Sequence, residues 1–385
     1  MYSDGAGARA DLGVSLFFFD MMRGRTVARL PNPDAGKRWD HNQDGTRTPG
    51  WARLRAGGVA GAPTMKSDEL VGGPLVYVHG GARGSRGNQL LRTFKGSEYL
   101  GFEPDAAECA RLTAGGKKRR RYFPVALGGA REKRRFYLTK SPACASLLRP
   151  NSSFVGQFLG CGPLFEVVDE CSIETVTLDK YLSSQDVTAV DVLDLDTQGS
   201  ELEILRGAQT LLRASVLALH VEVEFAPMYT DQPLFGAVDT HLREHGFSLF
   251  DLARYRGRRA TLAPHQPTRG QLLWGQALYF RDHERLATAQ QKLRLAVLAS
   301  FYQRDDYALE IVERLPEGLT EEETIAANAM RQRLQGVRSS KLVEWLRWLD
   351  ESPARGLFRR LGRSWVAGAD AFQEVTQRGN GTWKD

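Results

Sequence analysis

The chain has 385 residues, 42% of them apolar and 25% charged, close to the globular average and incompatible with a collagenous, fibrous or wholly disordered protein. Lysine and arginine number 52 against 46 aspartate and glutamate, a formal charge of +6, and the length fits one large domain with additions or two unequal domains. Cys109, Cys144, Cys161 and Cys171 make neither a Cys-x-x-Cys pair nor the dense even spacing of a secreted scaffold, so reduced thiols and a cytoplasmic location are expected.

Residues 1–70 are rich in Gly, Arg, Asp, Asn and Pro, with few apolar residues after Met22. Such a segment buries too little surface to offset its ordering entropy, which predicts a poorly ordered, flexible or loosely docked arm. Its apolar patch, Leu16 to Phe19, could dock on the main domain. The stretch from Val14 to Met22 is broken by Ser15 and Asp20, far short of the roughly 20 residues that cross a bilayer, so neither a span nor a secretion signal is expected.

From Leu75 short apolar runs alternate with helical patterns, the texture of a parallel sheet wrapped by helices. Strands are predicted at 75–79, 99–103, 122–126, 135–139, 189–194, 216–224, 247–252 and 273–280, and helices at 105–112, 200–212 and 234–245. Ser200 can cap the second helix and Gly246 stops the third. Residues 253–271, with Arg254, Arg256, Arg258 and Arg259, read as a hairpin-type excursion or a lid. After Phe280 successive amphipathic helices are expected, with Trp345 and Trp348 as packing anchors and a fraying end at 377–385. The predicted division is an arm at 1–70, an α/β domain at 71–282 and a helical extension at 283–385 that offers a homodimer surface.

Two basic runs, Lys117 to Arg121 and Arg131 with Lys133, Arg134 and Arg135, flank the third strand. They could hold an anion such as nucleic acid or a phosphorylated sugar. Basic loops beside a strand are more often simply solvated, and nucleic acid is disfavoured as a partner.

The first strand runs into Tyr77-Val78-His79-Gly80-Gly81-Ala82-Arg83-Gly84, a glycine-rich turn whose backbone amides can approach a ligand. The second strand ends at Glu103, roughly 20 residues on, where an α/β nucleotide fold places an acid for ribose hydroxyls. Neither a Gly-x-Gly-x-x-Gly frame nor a phosphate-loop element is present, which disfavours NAD, FAD and P-loop hydrolysis. Alternation puts Asp194 and Asp196 on one side of the next long strand, with Asp196 at its C-terminal end. An acid there can orient an amine, bind a cation or take a proton, or serve only as a helix cap. The following strand aligns His220, Glu222 and Glu224, which are costly to bury unless paired or functional, or else face solvent on an edge strand. A lone histidine such as His220 is more often a packing residue.

These segments resemble the FkbM-type methyltransferases. The likeness rests on VDVLDLDTQGSELEILRGA (190–208), EVEFAPMY (222–229) and QPLF (232–235), supported by GFEPD (101–105), TLDKYL (177–182) and GFSLFDL (246–252). It implies a class I, Rossmann-like, seven-stranded and mostly parallel sheet flanked by helices, with S-adenosylmethionine as cofactor. It also implies that Gly81, Ala82, Arg83 and Gly84 form the cofactor turn, that Glu103 holds the adenosyl ribose, and that His79 and Asp196 lie at the cofactor. The chain has His79 where the family usually has Asp, and Asp194 where it has Lys.

The implied activity is methylation of a hydroxyl on a small molecule, a glycan, a sugar or another secondary metabolite. Candidates for the base are Asp196, Glu222 and His220, in that order, with Gln198, Glu201 and Tyr229 as acceptor contacts. A divalent cation shared by Asp196, Glu222 and Glu224 would lower the hydroxyl pKa instead, although carboxylates at this spacing occur without metal. Two other readings stand beside it: a binding or scaffolding protein that kept the fold and lost catalysis, suggested by His79 and Asp194, and an RNA methyltransferase using the basic runs. Against the last, the Asn/Asp-Pro-Pro-aromatic motif of base methylation is missing.

Overall fold

The computed structural model describes residues 72–83, 87–116, 118–262 and 266–336. The expected arm at 1–70, the docking patch from Leu16 to Phe19, Gly84 of the glycine-rich turn, Trp345, Trp348 and the last nine residues lie outside the described residues.

Seven strands form the main sheet: β1 (Val76–Gly80), β2 (Glu98–Phe102), β3 (Arg120–Phe123), β7 (Val192–Leu195), β8 (Ala218–Glu224), β9 (Phe247–Gly257) and β10 (Gln271–Arg281). Their order is β3-β2-β1-β7-β8-β10-β9. Pairing is parallel from β3 through β8, while β10 runs antiparallel between β8 and β9. This is the class I methyltransferase topology, as the sequence resemblance implied. Strand order reverses between β1 and β7, so the crevice at their C-terminal ends is where such sheets bind ligands.

A second sheet of three strands, ordered β4-β6-β5, comprises β4 (Ala126–Leu127), β5 (Glu132–Thr139) and β6 (Val167–Val176). The predicted strand at 122–126 is therefore two strands in different sheets. Pro124 sits between them, where a ring without an N–H interrupts the ladder. The predicted strand at 135–139 belongs to this second sheet, and its antiparallel partner β6 had no sequence signal. Most of β6 is exposed, so the period-2 apolar alternation that betrays a half-buried strand is not written in it.

Helices α1 (Asn88–Thr93), α2 (Ala106–Ala114), α3 (Ser152–Val155), α4 (Cys161–Leu164) and α5 (Leu178–Ser184) precede β7. The single helix predicted at 200–212 is two, α6 (Glu201–Arg206) and α7 (Gln209–Ala214). They break at Gly207, where a Cβ would stand 2.7 Å from the Gly128 carbonyl oxygen. The close approach of the second sheet requires a glycine there and bends the chain. Asp179 then caps α7 by accepting from the Thr210 and Leu211 N–H groups at 2.7 and 3.1 Å. Helix α8 (Phe235–Glu244) stops before Gly246, whose φ of 80° suits glycine.

Past β10 come α9 (Ala289–Phe301), α10 (Asp305–Glu313) and α11 (Glu321–Gly336). Leu293, Ala296, Phe301, Ile311 and Met330 share one core with Tyr77, Tyr99, Val192 and Phe280 of the sheet. The opposite face packs Val78, Leu193, Leu195, Leu219 and Val221 against α5 to α8. One fixed ion pair tethers the extension: the Arg294 guanidinium donates to both Asp191 oxygens at 2.8 and 2.7 Å, while Asp191 also accepts the Val76 N–H at 2.8 Å. Among the described residues no helix is long and apolar enough to cross a membrane, and all four cysteines are free.

Candidate functional site

The C-terminal ends of β1, β2, β7 and β8 converge. Gly81 turns the chain out of β1 at φ 78°, and its N–H and that of Ala82 donate to the Phe102 carbonyl at 3.1 and 2.9 Å. A Cβ on Gly81 would stand 1.9 Å from the Asp196 carbonyl oxygen. The glycine thus lets the turn from β1 lie directly against the end of β7.

Glu103 follows β2 and is 4% exposed. One oxygen, Oε1, accepts the Asp105 N–H at 3.1 Å and lies 3.8 Å from the Arg83 guanidinium, which donates to Asp105 at 2.8 Å. Burial raises the Glu103 pKa, opposed by Arg83. An enclosed carboxylate that follows β2 at this sheet position fits a pair of ribose hydroxyls, so the nucleoside end of S-adenosylmethionine suits the residues present.

His79 lies elsewhere. It is fully enclosed, its Nδ1 hydrogen-bonded to the Tyr99 hydroxyl at 2.7 Å, on the face covered by α9. Asp194, 3% exposed, accepts from the Tyr77 hydroxyl. Tyr77 and Tyr99 stack with ring centroids 5.7 Å apart. His220 is in register with Asp194 and rests against Tyr302, 4.9 Å between ring centroids. It therefore sits one rung behind Asp196 and Glu222, under the end of α9, and the structure does not bring it together with them.

Asp196, Gln198 and Glu222 do come together. Gln198 Nε2 donates to Asp196 Oδ1 at 2.9 Å and to Glu222 Oε2 at 2.6 Å. Gln198 accepts from the Tyr229 hydroxyl at 2.8 Å, a tyrosine that is itself buried and also lies 3.0 Å from the Cys144 carbonyl. The backbone at Gln198 has φ 60°, a left-handed conformation that costs a non-glycine residue free energy and persists only when its surroundings enforce it.

Glu201 is the enforcer. Its Oε1 accepts the Thr197 N–H and hydroxyl at 2.6 and 2.9 Å, and its Oε2 accepts the Gly199 N–H at 2.9 Å. Both oxygens are thus used inside the loop that presents Gln198. Glu224, one rung beyond Glu222, is buried, and Gln232 Oε1 accepts the Tyr229 N–H at 2.9 Å.

Four carboxyls in so small a volume cannot all be ionised. Burial first, and then the Asp196 charge, push Glu222 upward; burial and Glu201 do the same to Glu224. Burial likewise pushes Glu201 up to about 7, against the loop N–H groups that favour its charged form. Asp196 is the partly exposed member of the group. Strand β8 is flanked on both sides, so the edge-strand alternative for its acids is excluded. Among the described residues, no three His, Cys, Asp or Glu side chains are arranged to hold a metal ion.

Two loops close over this end. Ser146 donates to the Gln198 carbonyl at 2.7 Å, and Thr230 N–H donates to the Arg149 carbonyl at 2.8 Å. Phe158 bridges to Arg259 of the β9–β10 hairpin, whose guanidinium covers its ring at 4.5 Å. Of the excursion predicted at 253–271, residues 253–257 extend β9 and Gln271 begins β10, so it is the end of a β-hairpin between these two antiparallel strands. Sequence reasoning singled out neither Ser146 nor the Phe158–Arg259 contact, because loop pairings over 50 residues apart leave no local pattern.

Residues 85–249 match the family model of the methyltransferase FkbM domain. No curated protein matches the chain. Similar solved structures include methyltransferase FkbM from Methylobacillus flagellatus KT, 15% identical over 54% of this chain and 43% of that one, with a TM-score of 0.29; this chain thus spans less than half of its length. Others are magnesium protoporphyrin IX methyltransferase from Synechocystis PCC 6803 with bound SAM (11% identical, 56% and 78% covered, TM-score 0.27) and a putative tRNA (m1A22) methyltransferase from Streptococcus pneumoniae (12%, 72% and 99%, TM-score 0.27).

Proposed function

We propose that this protein, a member of the FkbM methyltransferase family through residues 85–249, transfers a methyl group from S-adenosylmethionine to a hydroxyl oxygen of a sugar, glycan or other secondary metabolite. The observation that carries the acceptor chemistry is the Asp196–Gln198–Glu222 cluster, held at the C-terminal ends of β7 and β8 beside the Gly81 turn. When bound, S-adenosylmethionine supplies an electrophilic methyl carbon on a sulfonium sulfur. Glu103 would hold its nucleoside end, beside the close turn that Gly81 makes against the end of β7.

An alcohol is a poor nucleophile until its proton has somewhere to go. Asp196 is the accessible acid of the cluster and accepts that proton. Glu222, kept protonated by burial and by its neighbour, leaves the charge of the pair on Asp196. Gln198 locks the relative position of the two acids through its amide, and Glu201 locks Gln198 by fixing its loop. Alignment of acceptor with the methyl carbon at roughly 3 to 3.5 Å, with water excluded, is the remaining requirement. The Ser146 and Phe158–Arg259 contacts hold the loops that would meet it.

Titration calorimetry with S-adenosylmethionine and S-adenosylhomocysteine, followed by labelled methyl transfer to a panel of hydroxylated acceptors, tests the reading. Cofactor binding without transfer to oxygen, but with transfer to amines or thiols, would remove the O-methylation part. No cofactor binding by a well-folded protein would remove all of it and favour a binding or scaffolding role, the alternative that the enclosed His79 and Asp194 support.

A further inference from the structure

The basic run after α2 is not used at the methyl-transfer end. It lines a cavity of about 240 Å³ at the opposite edge of the sheet, formed by Leu91, Arg92, Lys95, Ser97, Lys118, Arg119 and Arg120. The cavity lies where β2 and β3 begin, at Glu98 and Arg120, whereas Glu103 follows the end of β2. A five-residue strand separates the two places by roughly 16 Å.

Five of the seven lining residues are cationic and none is acidic. Glu98, which adjoins the cavity in sequence, is engaged with Arg121 at 3.7 Å. The cations come from two segments held together by Arg119, whose guanidinium donates to the Gly96 carbonyl and whose backbone takes φ 63°. Arg120 is placed by its contact over the Tyr99 ring, 5.1 Å to the centroid. Like charges gathered on a folded surface repel, and a counter-anion relieves that cost.

A second observation points the same way. Ser97 is 3% exposed, and its hydroxyl is buried with no hydrogen-bond partner. Buried hydroxyls are normally paired, and an unpaired one costs free energy. An oxyanion seated among the cations would supply an acceptor to that hydroxyl. The volume is below the roughly 300 to 1,000 Å³ of clefts for drug-sized molecules, which suits one phosphate group with a small attachment.

We infer that the cavity between the end of α1 and the starts of β2 and β3 is a binding site for the phosphate group of a small ligand, with Arg92, Lys95, Lys118, Arg119 and Arg120 as its cations and Ser97 as its hydroxyl donor. The site is independent of methyl transfer.

The test titrates the full chain with inorganic phosphate and with a hexose monophosphate, by calorimetry and by thermal shift, in wild type, Ser97→Ala and the double variant Lys95→Ala/Lys118→Ala. Saturable binding is expected, weakened about tenfold or more in each variant. Ser97→Ala should stay at least as thermostable as wild type in phosphate-free buffer, because it removes a buried hydroxyl that lacks a partner there. Tighter binding of the sugar phosphate would assign the source as a phosphomonoester, and equal binding would assign it as free phosphate; both support the site. No saturable binding at millimolar phosphate, or binding untouched in both variants, overturns it. A single-stranded RNA that binds with steep salt dependence while phosphate does not bind would replace it with a nucleic-acid surface. Lys95 and Lys118 are exposed, so the double variant remains informative should Ser97→Ala fail to fold.

Discussion

His79 and Asp194 are register partners on the adjacent parallel strands β1 and β7. In sequence they are two separate departures from the family pattern, an imidazole in place of an acid and an acid in place of a lysine. In the sheet they are side by side on one face, so the exchange swaps the ionisable groups of a single buried pair of positions. The surrounding hydroxyls fit the swap: Tyr99 bonds His79 at 2.7 Å and Tyr77 donates to Asp194.

That coupling predicts a non-additive mutant series. His79→Asp alone places two buried acids in register and should destabilise the fold by about 3 to 5 kcal/mol, the cost of an uncompensated buried charge. The double variant His79→Asp/Asp194→Lys should recover a large part of this. Urea unfolding of the four proteins of the cycle gives the interaction term directly; additive losses would show that the two positions are energetically independent.

The turn at Gly81 admits no side chain. With φ 78° and a Cβ position 1.9 Å from the Asp196 carbonyl oxygen, Gly81→Ala must displace backbone, not a flexible side-chain end. We expect a loss of about 2 kcal/mol or more in stability and loss of S-adenosylhomocysteine binding, read by denaturant unfolding and calorimetry on the same preparation. A variant as stable as wild type would mean that the turn can open without penalty.

Glu103→Gln separates binding from folding. The raised pKa of this enclosed acid means that burial disfavours its charge in the free protein, so the neutral amide should leave stability within about 1 kcal/mol of wild type. It offers weaker acceptors to ribose hydroxyls, and cofactor affinity should fall about tenfold or more. Unchanged affinity in the presence of intact folding would place the ribose elsewhere.

Stability should fall as pH rises. Glu201, with a folded pKa of about 7 against an ordinary 4.5, binds its proton more tightly folded than unfolded, as do Glu222 and Glu224 by their raised values. The native state then holds the extra proton between about pH 4.5 and 7. Stability from this source is complete below that window and is lost through it, with a slope of about 1.4 kcal/mol per pH unit for each such proton. Chemical unfolding at a series of pH values should show the decline, and Glu222→Gln should flatten it. A profile rising from pH 5 to 7 in wild type would contradict proton retention by the cluster.

Arg294→Ala should loosen the helical extension from the sheet. It removes two bonds to Asp191, which keeps its bond from the Val76 N–H, a loss of about 3 kcal/mol for a broken, mostly buried pair. Hydrogen exchange in α9 and β1 should accelerate together; protection unchanged in both would show that apolar packing alone fixes the helices.

Much of this protein is legible along the chain. The apolar runs located all the strands of the main sheet, and the order of glycine turn, Glu103 and the Asp196 to Tyr229 signatures pointed to the fold, because these features are local in sequence and impose local backbone geometry. Strand β6 was illegible because both its faces are largely wet, and the break at Gly207 because it answers to the carbonyl of Gly128, just past β4 and far away in sequence. Tertiary structure alone decided which acids lie together. Alternation had aligned His220 with Glu222 and Glu224, but register and the end of α9 place His220 under Tyr302 with Asp194, while the loop braced by Glu201 brings Gln198 between Asp196 and Glu222. Side-chain periodicity fixes the face of a strand on which a residue lies. Only the packing of strands, loops and helices fixes what it meets there.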